Sequence, residues 1–451
     1  MPSRPKTAIA IALSAALLLT AAVLGEPRGA AQAAGDAAAI LQRIATERGE
    51  TTRPLEYAQG AHPLDNFFAA LARTALKQPG ATTRIAHMGD SLVEMDLVSG
   101  EMRRRMQEKW GDAGHGFIHV SRPQPWYKPY DVVHEPSAEW IAYAINDTSL
   151  PDRHFGLGGG VSVAYKAKAE ATIGTADRGK YGRSVSRFEV LFPIEPQGGP
   201  LEIALDGKRV GTVNTAGSPP RDAYAVVSAP DGAHKLTLTA MAKNLRVYGV
   251  IMERDVPGVV YDSLGVNGTG IDAYLTINKE HWINELRHRN PDLVILGFGG
   301  NEVRSNYKPE AVRGNVKAVV NIVRGALPNA SILLVGPLDS AVKQGTSMVS
   351  PAILPQIIAA QREAASELKI AYWSLFDAMG GAGSMARWYE ASPRLGAGDL
   401  VHPTPKGGEV LGDMFFRAMM QGFAEYLERA GVPAAAAPPP PANTMERVDV
   451  K

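Results

Sequence analysis

The chain contains no cysteine in its 451 residues. That removes disulfides, zinc ribbons, iron–sulfur clusters, thiol nucleophiles and cysteine lipidation. It leaves the compartment open, because reducing and oxidising locations both tolerate a cysteine-free chain. An excess of one charge is also missing: 47 Lys and Arg face 46 Asp and Glu, for a formal charge of +1. No basic stripe therefore points to nucleic acid, and net charge gives no case for an acidic polymer or a membrane surface as partner. Beyond the first 33 residues, no apolar run approaches the roughly 18 residues that suggest a membrane span. What remains is an ordinary globular composition, 45% hydrophobic and 21% charged. At about 150 residues per domain, the length gives a prior of two or three domains.

The two ends have their own textures. Arg4 and Lys6 precede the uncharged, Ala/Leu/Ile-rich run from Thr7 to Gly25, and Ala31-Gln32-Ala33 supplies small residues at a cleavage spacing. This pattern reads residues 1–33 as a secretory signal, and hence the protein as periplasmic or secreted. The alternative is an uncleaved anchor, which would leave the protein tethered to a membrane. At the other end, Pro433 to Pro441 is Ala and Pro only. Residues 431–451 read as a disordered tail.

Between the ends, short apolar strands alternate with helical stretches. The strands are Arg84–Met88, Gly258–Leu264, Leu293–Phe298, Ile332–Gly336 and Ile370–Leu375. Helical spacing runs through residues 64–78, Met102–Trp110, Lys279–Arg289, Pro309–Ala326, Pro351–Leu368 and Gly408–Arg429. Continuous apolar strands alternating with helices imply a five-stranded parallel sheet covered on both faces. Residues 34–114 and 258–430 carry this α/β rhythm. Residues 115–257 break it with short alternating runs, Arg187–Phe192, Leu201–Leu205, Ala223–Val227 and Lys235–Thr239, separated by turn signals. Asp206-Gly207 and Asp231-Gly232 read as hairpin turns. The segment is expected to be an antiparallel β-sandwich inserted into the α/β domain; the alternative is an irregular elaborated loop.

In open parallel sheets, ligands bind outside the carboxyl ends of the strands. Gly89-Asp90-Ser91-Leu92 follows the first expected strand, Gly265-Val266-Asn267-Gly268 the second, and Gly299-Gly300-Asn301-Glu302 the third; Asp399-Leu400-Val401-His402 precedes the last helix. These are parts for acyl transfer through a serine. Ser91 would be the nucleophile, His402 the base that takes its proton, and Asp399 the carboxylate that fixes the imidazole tautomer. The Ser91 and Gly268 amides and the Asn301 side chain are candidate oxyanion donors. Simpler readings stand beside these: Ser91 as a helix N-cap, Gly268 as a turn, Asn301 as a loop cap and His402 as a surface histidine.

The four segments, in this order, resemble the SGNH/GDSL hydrolases. The resemblance covers residues 80–114 and 258–430. It implies Ser91 as nucleophile, Gly268 and Asn301 as oxyanion donors and Asp399-x-x-His402 as acid and base; Glu302 stands where the family has Asp. The Gly265-Val266-Asn267-Gly268 form, the β-rich insertion and Gly111–Phe117 are similar to bacterial peptidoglycan O-acetylesterases, in which a carbohydrate-binding-module-like sandwich interrupts the hydrolase domain. That implies an acetylated glycan as substrate and no metal or organic cofactor. An O-acetyltransferase with the same triad, or a non-catalytic glycan-binding protein on this scaffold, are the rival readings.

Other residues invite weaker readings. His87 falls in an expected buried strand and reads as a core histidine. His115 and His119 with Asp112 have no further spacing that supports a metal. Gly156–Gly160 fits neither a dinucleotide fingerprint nor a P-loop and reads as a turn. Trp126, Tyr127 and Tyr130 could stack on a sugar ring, although aromatics more often pack cores.

Overall fold

The structure, a computed structural model, describes residues 27–46, 51, 53–430 and 439–451. Five strands form one wholly parallel sheet: β1 (Thr82–Gly89), β2 (Gly258–Gly265), β3 (Leu293–Gly297), β4 (Ser331–Gly336) and β5 (Ala371–Ser374). Their spatial order is β2-β1-β3-β4-β5. These segments are continuously apolar because both faces are covered. On one face lie α5 (Lys279–Arg289), α7 (Pro309–Ala326) and α8 (Leu354–Leu368), with Trp282, Val316 and Ile357 fully buried. On the other lie α2 (Asp65–Ala75), α4 (Ser99–Trp110) and α11 (Pro405–Ala430), with Phe67, Met106 and Phe415 buried. The remaining helices are α1 (Pro27–Thr46), α3 (Ser91–Glu94), α6 (Gly300–Arg304), α9 (Leu375–Met379) and α10 (Ser384–Glu390). Together they make the expected three-layer α/β/α architecture.

The signal reading of residues 1–33 lies outside the described residues up to residue 26. Helix α1 begins at Pro27, so Ala31-Gln32-Ala33 sits within a helix. Among the described residues, no helix is long and apolar enough to cross a membrane.

The chain leaves and re-enters the α/β body at one place. The Ala113 amide donates to the Val259 carbonyl, and the Arg254 amide to the Ala113 carbonyl. Between these points the chain forms a five-stranded sheet and a four-stranded sheet, the latter extended to five by Glu446–Arg447, and the two enclose a separate core that includes Phe188, Val190, Leu201, Ile203 and Leu238. The hairpin at Asp206-Gly207 joins Pro200–Leu205 to Lys208–Asn214, with φ of 52° and 75°, the pair of positive values that a type I′ turn requires. Asp231-Gly232 behaves differently. It ends the strand Arg221–Gly232, which pairs with Val185–Ile194 in one sheet, whereas Lys235–Ala240 pairs in the other. The expected hairpin is therefore a crossing between sheets: each strand buries its alternate residues better against a different neighbour than against the other.

Of the expected disordered tail, residues 431–438 lie outside the described residues, and the remainder differs from expectation. Residues 439–451 are ordered against the sandwich: Glu446–Arg447 pairs in parallel with Ala223-Tyr224, Met445 is buried, and Lys451 exchanges backbone hydrogen bonds with Thr212. Low-complexity composition does not prevent a strand from adding to an open sheet edge, where unpaired N–H and C=O groups wait for partners.

A buried charge network ties the sandwich to the α/β body. Glu253, in the sandwich, accepts from Arg84 of β1 at 2.8 Å, from Arg289 of α5 at 2.6 Å and from Arg187. Arg289 also pairs with Asp262 of β2 at 2.6 Å.

Candidate active site

Parallel pairing aligns Gly89 with Gly265 on one side and with Gly297 on the other. The carboxyl ends of three neighbouring strands, β2, β1 and β3, thus stand side by side. The segments that follow them, carrying Gly268, Ser91 and Asn301, converge where the strand order reverses around β1. Close approach is built in: a Cβ on Gly265 would lie 2.1 Å from the Glu94 amide of α3.

Ser91 opens α3, and the Asp90 carboxylate before it accepts the Leu92 amide at 3.1 Å, so Asp90 is the helix cap rather than Ser91. The Ser91 hydroxyl Oγ lies 2.8 Å from His402 Nε2. On the far side of the ring, His402 Nδ1 lies 2.6 Å from Asp399 Oδ2. The other Asp399 oxygen accepts the backbone amides of Val401 and His402 at 2.9 and 3.0 Å. Burial pushes the Asp399 carboxyl up, but the hydrogen bonds from the His402 side chain and from these amides outweigh it and hold the group below its ordinary value. Between them Leu400 takes a left-handed φ of 59°, turning the chain so that the two side chains meet. Asp399 and His402 sit just before α11, at the far end of the chain from Ser91.

Gly268 has a φ of +76°, a region that side chains other than glycine rarely occupy. Neither its amide nor that of Ser91 makes a hydrogen bond among the described residues. Asn301 Nδ2 donates to the Thr269 carbonyl at 2.9 Å and lies 3.5 Å from Asp90 Oδ2. Ser91, Gly268, Asn301 and His402 all line one cavity of about 380 Å³, whose other walls include Leu338, Leu354 and Val303. Burial raises the Asp90 carboxyl to about 6, against the opposing pull of the Leu92 amide and of His402. The arrangement offers a hydroxyl with an adjacent imidazole, a carboxylate behind that imidazole and unpaired N–H groups across a small pocket. Those are the requirements for acyl transfer through an activated serine.

The weaker candidates separate. His87 Nδ1 bonds the Tyr261 hydroxyl inside the core. His115 Nε2 meets the Tyr130 carbonyl, and His119 packs edge-on against Phe117 and Tyr127. Among the described residues, no group of three or more His, Cys, Asp or Glu is placed to hold a metal ion. The aromatic trio does not act as one cluster: Tyr127 is buried with its hydroxyl accepting the His119 amide, whereas Trp126 is 59% exposed. One residue at the site has no sequence signal at all. Asn146, from the inserted sandwich, donates its side-chain amide to the Asn267 carbonyl at 3.1 Å, beside Gly268.

The GDSL-like lipase/acylhydrolase family model matches residues 230–410. Residues 230–410 thus resemble a GDSL-like lipase/acylhydrolase domain. The matched range contains Gly268, Asn301, Asp399 and His402; Ser91 falls outside it, on the other side of the insertion. By structure, the chain is similar to a peptidoglycan O-acetylesterase, with a TM-score of 0.67 and 24% identity over 81% of this chain and 97% of that one. A family two carbohydrate esterase from Clostridium thermocellum, present as an active-site mutant, superposes with a TM-score of 0.28 at 13% identity, over 66% of this chain and 99% of that one. A salicylyl-acyltransferase from a tetracycline biosynthetic pathway gives 0.28 at 14%, over 70% and 99%. No curated protein matches the sequence.

Proposed function

We propose that this esterase removes O-acetyl groups from a cell-wall or other polysaccharide through an acetyl-serine intermediate. The observation that carries the reading is the unbroken chain from Ser91 Oγ through His402 to Asp399 at the mouth of a small cavity. Ser91 Oγ attacks the acetyl carbonyl carbon while His402 Nε2 takes its proton. Asp399 holds the imidazole so that Nε2 is the free acceptor, and stabilises the imidazolium. The Ser91 and Gly268 amides and Asn301 Nδ2 hold the tetrahedral oxyanion. The sugar oxygen leaves with the proton from His402. Water, deprotonated by His402, then attacks the acetyl-serine; acetate departs and Ser91 regains its proton. Every proton moves through His402, and no cofactor enters these steps.

The substrate class rests on the likeness to a peptidoglycan O-acetylesterase. Export to the periplasm or beyond rests on the signal-like residues 1–33. The test is acetate release from O-acetylated peptidoglycan and from acetylated xylan, with p-nitrophenyl acetate as a small reference ester. The native protein should turn over the small ester, and Ser91→Ala should lose about 10⁴-fold or more in kcat. Equal turnover by the two proteins removes Ser91 as nucleophile. Acetate moved to an added glycan hydroxyl rather than to water identifies a transferase. Retention of glycan without acetate release identifies a binding protein.

A further inference from the structure

The loop from Val266 to Ile271 carries Gly268, and its backbone is pinned at alternate places. The Val266 amide donates to the Gly89 carbonyl of β1 at 3.0 Å. The Asn267 amide donates to Glu94 Oε2 at 2.6 Å, and the Ile271 amide to Glu302 Oε1 at 2.9 Å. Asn301 holds the Thr269 carbonyl between them. Glu94 and Glu302 are each only 1% exposed. In each, the second carboxyl oxygen is buried and has no hydrogen-bond partner. Among the described residues neither is paired with a cation, so their hydrogen bonds to these amides are the interactions that offset burial.

We infer that Glu94 and Glu302 are positioning residues for the oxyanion site: Glu94 takes the Asn267 amide just before Gly268, Glu302 takes the Ile271 amide three residues after it, and the loop held between them presents the free Gly268 N–H to the acyl pocket. This rests on the reading of Ser91 as nucleophile. The two residues act from different elements. Glu94 ends the short helix α3 that Ser91 opens, so one turn of helix fixes the nucleophile and one end of the donor loop together. Glu302 follows Asn301 in α6, so it couples the other end of that loop to the side-chain donor. A Cβ on Gly270 would lie 3.0 Å from Glu302 Oε1, which leaves the loop no room to sink. A carboxyl group raised to about 7 by burial, as both are, fits an acceptor whose reach matters more than its charge.

The role predicts an order among variants that a charge role or a merely structural role would not produce. Gln keeps the length and an acceptor oxygen but no charge; Asp keeps the charge but withdraws the acceptor by about one bond. On p-nitrophenyl acetate, Glu94→Gln and Glu302→Gln should stay within about threefold of the native kcat. Glu94→Asp and Glu302→Asp should fall about 10²-fold in kcat with KM within about threefold, the size expected for a misplaced donor. Thermal midpoints of all four identify any variant that has not folded, and the Gln variants keep the test open if an Asp variant fails. Asp variants as active as the native protein, or Gln variants no better than Asp, overturn the inference. Ser91→Ala is measured alongside: if it retains activity, the nucleophile reading fails, whereas a dead Ser91→Ala beside unaffected Asp variants rejects the clamp alone.

Discussion

Two sets of buried carboxylates among the described residues are partnered in opposite ways. At the seam between the sandwich and the α/β body, Glu253 faces Arg84, Arg187 and Arg289, and nearby Asp96 is held by Arg103 at 2.5 Å. Burial pushes both acids up, but the guanidinium groups outweigh it and hold both well below the usual carboxylate range. At the strand ends, Glu94 and Glu302 have a backbone amide each and no cation, and burial raises both to about 7. Glu285 belongs with this second group: it accepts the Leu157 amide of the insertion and is likewise raised to about 7. A full positive charge offsets desolvation where one N–H does not. The difference teaches that charge-paired acids lock elements together, whereas amide-paired acids set the position of loops. Substitutions at the seam should therefore cost stability, and substitutions at the strand ends should cost rate.

The largest effect should come at the site. Asp399→Asn leaves the ring in place but favours the wrong imidazole tautomer, so kcat should fall about 10⁴-fold while the thermal midpoint moves little. The seam should answer in stability: Arg289→Ala leaves Asp262 with an uncompensated buried charge, while Glu253 keeps Arg84 and Arg187, and should lose about 3–5 kcal/mol in denaturant unfolding. Its kcat per folded molecule should stay near native; a loss of rate without a loss of stability would break the comparison. Asn301→Ala removes one donor, which should lower kcat about 10²–10³-fold on p-nitrophenyl acetate with only a small change in unfolding.

The smallest effect is a pH dependence. Glu94 and Glu302 have folded-state values near 7, above the ordinary 4.5. Between these values the folded protein keeps protons that the unfolded chain has released, so their contribution to stability is full below about pH 4.5 and is lost as pH rises through 7. Glu94→Gln cannot release that proton. Relative to the native protein, its thermal midpoint should therefore improve as pH rises from about 4.5 to 7, then level off. A constant difference across that range would place Glu94 among the charge-paired acids instead.

The parallel sheet was readable because each strand is a continuous apolar run, and two helices, α5 and α7, keep the boundaries that their periodicity implies. Ser91, Gly268, Asn301, Asp399 and His402 could be nominated because each follows a strand or precedes a helix. Asp206-Gly207 was readable as a turn, since both residues must take positive φ locally. Asp231-Gly232 was not, because the same dipeptide can cross from one sheet to another, and which pairing wins depends on strands distant in sequence. The ordered end of the chain was hidden for the same reason: Glu446–Arg447 gains its structure from a sheet edge more than 200 residues away.

The sequence by itself determined which chemistries were absent, the α/β architecture and the identity of the groups available for acyl transfer. Those are set by side-chain type and by local periodicity, which a chain carries wherever it goes. Only the tertiary structure decided that β2 and β3 flank β1, and so that three separated loops share one pocket. Only it brought Asn146 of the sandwich to the Asn267 carbonyl, and Glu94 and Glu302 to the two sides of Gly268. Glutamates are mostly solvated surface residues; nothing in the spacing marks Glu94, and Glu302 stands out only as the residue where the family has Asp. What marks them is burial without a counter-charge, a property of the surroundings that the folded chain creates.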